Sequence, residues 1–223
     1  MESLEEFNGT APLFPLPSVA LFPHVVQPLH MFEPRYRQMT ADAVRGDGFL
    51  GIAVLKPGHE DLYNRKDAPI FDTVCLGKIT TSRQLPDGRF NVVLQGLARA
   101  RVTSEIEGPH LYRVGELAIV DDVPPACLSD LAPIARSIVE SFARLYPQLA
   151  EHPAVEKMIE DDLPFGVLCD FITHATDIDT ETAARVLCES DLAVRGTLLN
   201  SWLQARLLSS SPQRTFPPEF SLN

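Results

Sequence analysis

No run of 18 apolar residues occurs in the 223 residues, so no segment has the uninterrupted hydrocarbon length of a membrane-spanning helix. Basic residues are scarce: 19 Lys and Arg stand against 30 Asp and Glu, a formal net charge of −11. The deficit is shared along the chain, with 12 basic against 16 acidic residues up to position 122 and 7 against 14 after it. Neither part has the surplus of cations that phosphate contacts need. Nucleic acid is therefore not expected as a partner, and neither is a membrane. Cysteine is sparse too. Cys75, Cys127, Cys169 and Cys188 form no Cys-x-x-Cys pair, and in a reducing compartment they read as small buried hydrophobes. The opening Met1-Glu2-Ser3-Leu4-Glu5-Glu6 is acidic where a secretory signal would be basic, so the expected location is the cytosol.

Catalytic signatures are missing as well. The one Gly-Lys pair, Gly77-Lys78, has no glycine five residues earlier and no hydroxyl residue after it, so it cannot form a phosphate-cradling loop. His24 and His30 lie near Glu33, but His59-Glu60 lacks a histidine four residues after the first, and the zinc-protease signature fails. Asp161-Asp162 and the pair Asp177 and Asp179 have no calcium-loop spacing. Ser82, Ser104 and Ser137 sit in no glycine elbow. The reading is of a chain that is not an enzyme, with no catalytic, metal-binding or cofactor-binding residue.

What is present is enough apolar side chain, 45% of residues, for a real core. The first 122 residues look β-rich and the rest helical, with the boundary at Asp121-Asp122-Val123-Pro124-Pro125, where two prolines stop a strand. From Phe90 to Val102 the even positions are apolar and the odd ones mostly polar, the pattern of a half-buried antiparallel strand. Gly96 is the natural place for a bulge in it. Arg99 and Arg101 fall on its polar face and are expected in solvent. Leu85-Pro86-Asp87-Gly88-Arg89 has turn chemistry, and with Ile79–Gln84 upstream it predicts a hairpin. Further strands are expected over 49–55 and 111–120, with a surface loop over 56–68. A helix starts at Glu33-Pro34 and ends at Gly46, with Phe32, Tyr36, Met39 and Ala43 facing the sheet.

In the second part, Leu131, Ile134, Ala135, Ile138, Phe142 and Leu145 form one helical stripe, stopped by Pro147. Leu168, Phe171, Ile172 and Ala175 form another after Pro164. A short helix follows Thr180 as its cap. A last helix from near Asp191 carries Val194, Leu198, Trp202 and Ala205, and Gly196 within it points to close helix packing. The tail, 209–223, is expected to be mobile.

Several segments together carry a resemblance. Phe14-Pro15-Leu16-Pro17, Leu21-Phe22-Pro23 and Pro28-Leu29-His30-Met31-Phe32-Glu33-Pro34-Arg35-Tyr36-Arg37 resemble the opening of the Lon protease amino-terminal domain. The Leu85–Arg89 turn and then Leu94-Gln95-Gly96-Leu97-Ala98-Arg99 resemble its central hairpin. Asp162-Leu163-Pro164-Phe165-Gly166 and the helical segments after it resemble the helical extension of small bacterial members. The resemblance implies an α+β fold: a curled antiparallel β pseudo-barrel of the PUA-like type with one short helix over 10–122, then a helical bundle over 126–208. It also implies a stand-alone, non-catalytic module that binds unfolded or apolar polypeptide segments, with a protease or chaperone as cellular partner. The ATPase loop and the Ser–Lys dyad of the full-length proteases have no counterpart here.

Phe32, Glu33, Arg35, Tyr36 and Arg37 are the candidate polypeptide-binding residues. The plainer reading competes at each: Glu33 suits a helix amino terminus, the arginines pair with acids or carbonyls, and Phe32 and Tyr36 are core by spacing. Other functional readings are an assembly or adaptor protein docking one folded partner, an RNA binder by analogy with other PUA-like folds, and a peptidase.

Overall fold

The computed structural model describes residues 4–153, 155 and 163–210. Strands β1 (Thr10–Leu16), β2 (Val26–Met31), β3 (Phe49–Val54), β4 (Thr73–Gln84), β5 (Phe90–Ile106) and β6 (Arg113–Val120) make one sheet in the order β2-β5-β4-β3-β1-β6. A second ladder between β5 and β6 curls it into a ring-like sheet rather than a closed barrel. Helix α1 (Pro34–Arg45) crosses from β2 to β3. Helices α2 (Leu131–Leu145), α3 (Pro147–Ala150), α4 (Phe165–Ala175), α5 (Thr180–Cys188) and α6 (Leu192–Ser210) come after the sheet. The expected α+β architecture holds.

The ring depends on the length of β5. One edge of β5 pairs with β4; the other pairs with β2 over Phe90–Gln95 and with β6 over Arg99–Ile106. Between those partners the bulge foreseen beside Gly96 is present: Gly77 pairs with Gly96 but Leu76 with Ala98, leaving Leu97 as the extra residue. Here the β1–β2 connection presses on the strand. The His24 N–H donates to the Gly96 carbonyl and the Gly96 N–H to that of Val25, and a side chain on residue 96 would collide with the Phe22 carbonyl.

β1 and β2 are strands that alternation alone does not reveal, because prolines interrupt them. Pro12 falls where β1 pairs only with β6, and Pro15 where it pairs only with β3. Each missing N–H therefore has a side of the strand without a ladder on which to fall. The β1–β3 pair is parallel, an exception to the antiparallel sheet that the family resemblance implies.

β3 is buried along its whole length, as a strand covered on both faces must be. One face joins Leu13, Val74, Leu76, Ala100 and Leu117 inside the ring. The other meets Tyr36, Met39 and Ala43 of α1, together with Ala183, Ala184, Val186 and Leu187 of α5. A separate cluster holds α2, α4 and α6 together through Ile138, Phe142, Leu168, Ile172, Leu199 and Leu203.

Three expectations are corrected. Phe32 does not face the sheet: it is 60% exposed, because α1 begins only at Pro34 and residue 32 lies before the helical period starts. The buried stripe of α6 runs through Leu192, Arg195, Leu199 and Leu203, while Val194 is exposed; a wholly buried arginine hid the true phase. The cap of α5 is Asp179, whose carboxylate accepts from the Thr182 N–H at 2.8 Å, rather than Thr180. Gly196 does mark close packing, since a Cβ there would strike the Phe165 ring. Helix α6 runs on to Ser210; residues 211–223 of the expected tail, and Asp161-Asp162, lie outside the described residues.

Candidate functional site

Four of the five candidate residues are occupied within the fold. Glu33 and Arg35 form an ion pair at 2.9 Å, both largely buried. The Arg35 guanidinium lies between two aromatic rings, 4.4 Å from the Tyr36 centroid and 4.6 Å from that of Tyr63, the stacking that a planar cation favours. Its Nη1 donates to the Tyr63 carbonyl at 2.9 Å, and the Tyr63 hydroxyl donates to Glu33 Oε1 at 2.7 Å. Tyr36 is buried, with burial pushing its hydroxyl pKa well up. Arg37 Nε donates to the Gly88 carbonyl at 2.8 Å, tying α1 to the β4–β5 turn, where Gly88 has φ +81°. Phe32 alone stands free, its ring stacked with His30 at 6.2 Å between centroids. His30 itself is held by Asn91 at 2.6 Å, so its spacing to Glu33 yields no shared pair.

The Glu33–Arg35 pair thus holds segment 56–68 at Tyr63, and the two ends of that segment, Lys56 and Lys66–Ala68, line a broad cleft among the described residues. This cleft measures about 1110 Å³ and is lined by Lys56, Lys66–Ile70 and Asp72 on one side and by Val102 and Glu105–Gly108 on the other, with His110, Tyr112 and Arg113 at its end. Its lining is on balance polar, with Ile70, Val102 and Ile106 as apolar contributions. Its charges are mixed. Arg113 is bonded to Glu105 and to the Ala68 carbonyl, Lys66 to the His110 carbonyl, and Lys56 lies 3.9 Å from Asp72. The β5–β6 side of the cleft is not legible in the sequence as a site, because nothing local in 103–108 distinguishes it from an ordinary hairpin end.

A second concavity, about 640 Å³, lies between α2 and α4 and is mostly apolar, with Leu131, Ala135, Val139, Phe165 and Leu168 among its walls. Its rim at Leu163 adjoins residues outside the described set.

Arg99 departs from expectation. It is only 3% exposed because the Leu97 bulge turns it out of the polar row toward the helices. Its Nη1 donates to Asp170 Oδ2 at 2.8 Å, its Nη2 to the other carboxylate oxygen, and its Nε to the Leu187 carbonyl. Burial opposes its charge, but the Asp170 hydrogen bonds and charge outweigh burial and raise its pKa. Arg195, wholly buried, pairs with Asp122. Cys75 and Cys169 are buried, as expected, and burial raises both thiols, Cys169 to about 12. Cys127 is exposed, against expectation. Among the described residues no three His, Cys, Asp or Glu side chains converge as a metal site would, and no helix is long and apolar enough to cross a membrane.

Residues 10–205 match the family model described as the ATP-dependent protease La (LON) substrate-binding domain. The chain belongs to this family. The Lon protease of Anaeromyxobacter dehalogenans is 27% identical over 201 residues, which is 87% of this chain and 23% of that protein. The Lon protease of Desulfatibacillum aliphaticivorans is 27% identical over 216 residues, 92% of this chain and 26% of that one. The chain thus spans only a minor part of the length of these relatives. The N-terminal domain of a Mycobacterium avium complex Lon protease superposes with a TM-score of 0.71 at 15% identity, covering 87% of this chain and 98% of that one. A Lon N-terminal domain protein from Xanthomonas campestris gives 0.62 at 20% identity, with 86% and 98% covered. At these identities the likeness is one of fold. The Lon-type sheet is what places the cleft between segment 56–72 and the β5–β6 hairpin.

Proposed function

We propose that this chain is a non-catalytic module that binds unfolded or apolar polypeptide segments in the cytosol, in company with a protease or chaperone, and that the β-domain cleft receives them. The observation that carries this reading is the cleft itself: among the described residues it is a concavity of about 1110 Å³ whose lining mixes charged side chains with the apolar Ile70, Val102 and Ile106. That combination suits a polypeptide better than a small ligand, which calls for an enclosed, mostly apolar pocket. Membership of the substrate-binding family supports it. In this reading Glu33, Arg35 and Tyr36 act as positioning residues that hold the 56–68 wall, Arg37 holds the hairpin turn, and Phe32 offers an exposed aromatic contact beside β2. The raised thiols of Cys75 and Cys169 are poor nucleophiles, in keeping with binding rather than chemistry.

The test is fluorescence anisotropy of labelled, reduced and carboxyamidomethylated lysozyme titrated with the full chain, with native lysozyme as control. Saturable binding of the unfolded form alone is expected. No binding at high micromolar concentration, or equal binding of both forms, would refute the proposal.

A further inference from the structure

β5 outruns its neighbour. The register that pairs Gln84 with Phe90 also pairs Thr73 with Arg101, since one bulge in each strand offsets the other. Continued, it would set residues 68–71 beside 103–106. Instead the last bond of that ladder is Val102 N–H to the Asp72 carbonyl at 2.8 Å. Residues 68–71 then stay with the end of β3, where Leu55 bridges Ile70, Lys56 N–H donates to the Pro69 carbonyl and Phe71 N–H to the Val54 carbonyl. The backbone groups of Pro69 and Phe71 are thus turned to the end of β3, and Asp72 is the last residue of this strand bonded to β5. The sheet therefore forks: residues 104–106 keep β6 on one edge, Thr103 being the extra residue of a bulge in that ladder, and, among the described residues, 103–106 have no strand on the other. The open edge forms a wall of the cleft, where Glu105, Ile106 and Glu107 line it.

The geometry points to a strand-addition site: an extended, unfolded polypeptide segment enters the fork and pairs with the open edge of β5 at 103–106. This rests on the polypeptide-binding reading above and states how the segment is held. An unpaired edge is a template for another strand, and strand addition takes its affinity from main-chain hydrogen bonds and its preferences from side-chain pockets. Four residues in extended form span about 13 Å at about 3.3 Å each, the length of the open stretch. The side chain facing inward would meet Ile70 and Val102. Charge fixes the remaining preference. Glu105 is taken by Arg113 and Asp72 by Lys56, while exposed Glu107 has no ion-pair partner among the described residues. The segment accordingly carries a Lys or Arg at that end.

The test combines two measurements on the full chain with carboxyamidomethylated lysozyme, a basic unfolded polypeptide. Amide hydrogen exchange read by mass spectrometry should slow over 102–107 on binding and stay unchanged in β2. Glu107→Lys, at an exposed residue that makes no ion pair among the described residues, should leave folding intact and weaken binding about five-fold, the size of an exposed ion-pair contribution. If the wild-type chain binds but protection falls elsewhere, or Glu107→Lys binds as well as wild type, the strand-addition site is wrong and the polypeptide-binding reading survives. If the wild-type chain fails to bind at all, both fall together.

Discussion

Single residues here are read correctly from sequence when their role is local and misread when it depends on the far side of the fold. Tyr36, Met39 and Ala43 are buried on the helical period that makes them visible in the sequence. Arg35 is different. Glu33 is close to it in sequence, but Tyr63, which supplies the second ring and the carbonyl, is 28 residues away, so the residue can be singled out but not its role. That role predicts an outcome. Arg35→Lys keeps the charge but loses the planar stack between Tyr36 and Tyr63 and the fork that reaches both Glu33 and the Tyr63 carbonyl. The variant should lose about 2 kcal/mol in urea unfolding, the scale of charge-assisted hydrogen bonds, and polypeptide affinity should fall with it because the 56–68 wall is released. A stable variant with normal affinity would show that the cluster does not hold the cleft.

Elements obey the same division. β5 and α2 announce themselves by periods of about 2.0 and 3.6, whereas β1 and β2 are hidden by Pro12, Pro15 and Pro28, which only the pairing scheme makes tolerable. Helix α6 is legible in place but not in rotation, because Arg195 occupies a buried position that the pattern reserves for apolar residues. The fork is unreadable for a related reason: whether β5 finds a partner beyond Val102 depends on where 68–71 goes, not on 103–106. Helix α4 gives a prediction of its own at His174, which packs toward the β1–β2 connection. Burial lowers its pKa below the ordinary 6.5, against the opposing pull of a hydrogen bond with the Ala20 backbone. The unfolded chain therefore takes up the proton first. Stability from this site is complete above about pH 6.5 and declines as pH falls from there toward the lower folded value. Thermal melts between about pH 7 and 5 should show this decline, and His174→Gln should flatten it; an unchanged slope in the variant would exclude His174 as the source.

At the scale of the whole molecule, the question is what joins the sheet to the helices. A division into units 10–122 and 126–208 is our proposal from the linker, and two kinds of contact bridge it. Apolar burial comes from α5, whose Ala184, Val186 and Leu187 belong to the core over the sheet. Charge comes from a network in which Arg99 of β5 meets Asp170 of α4, and Asp122 of the linker meets Arg195 of α6. Asp170 is also 3.9 Å from Arg195, and Arg99 3.9 Å from Asp122. Gly166 makes room for it, since a Cβ there would strike the Asp122 carboxylate. Buried ions gain little over well-packed apolar groups, but removing one partner strands the other without water. Arg99→Met should therefore cost about 3–5 kcal/mol in urea unfolding, because Asp170 would keep only the longer contact with Arg195. Arg99→Met combined with Asp170→Leu should recover most of that loss, since no charge is then left alone at the centre of the joint. If the single variant lost less than about 1 kcal/mol, the range of an exposed pair, the network would be a solvated contact and α5 alone would fasten the helices to the sheet. If the double variant were as unstable as the single one, Arg195 would depend on Asp170 more than its separation implies, and the four charges would act as one unit.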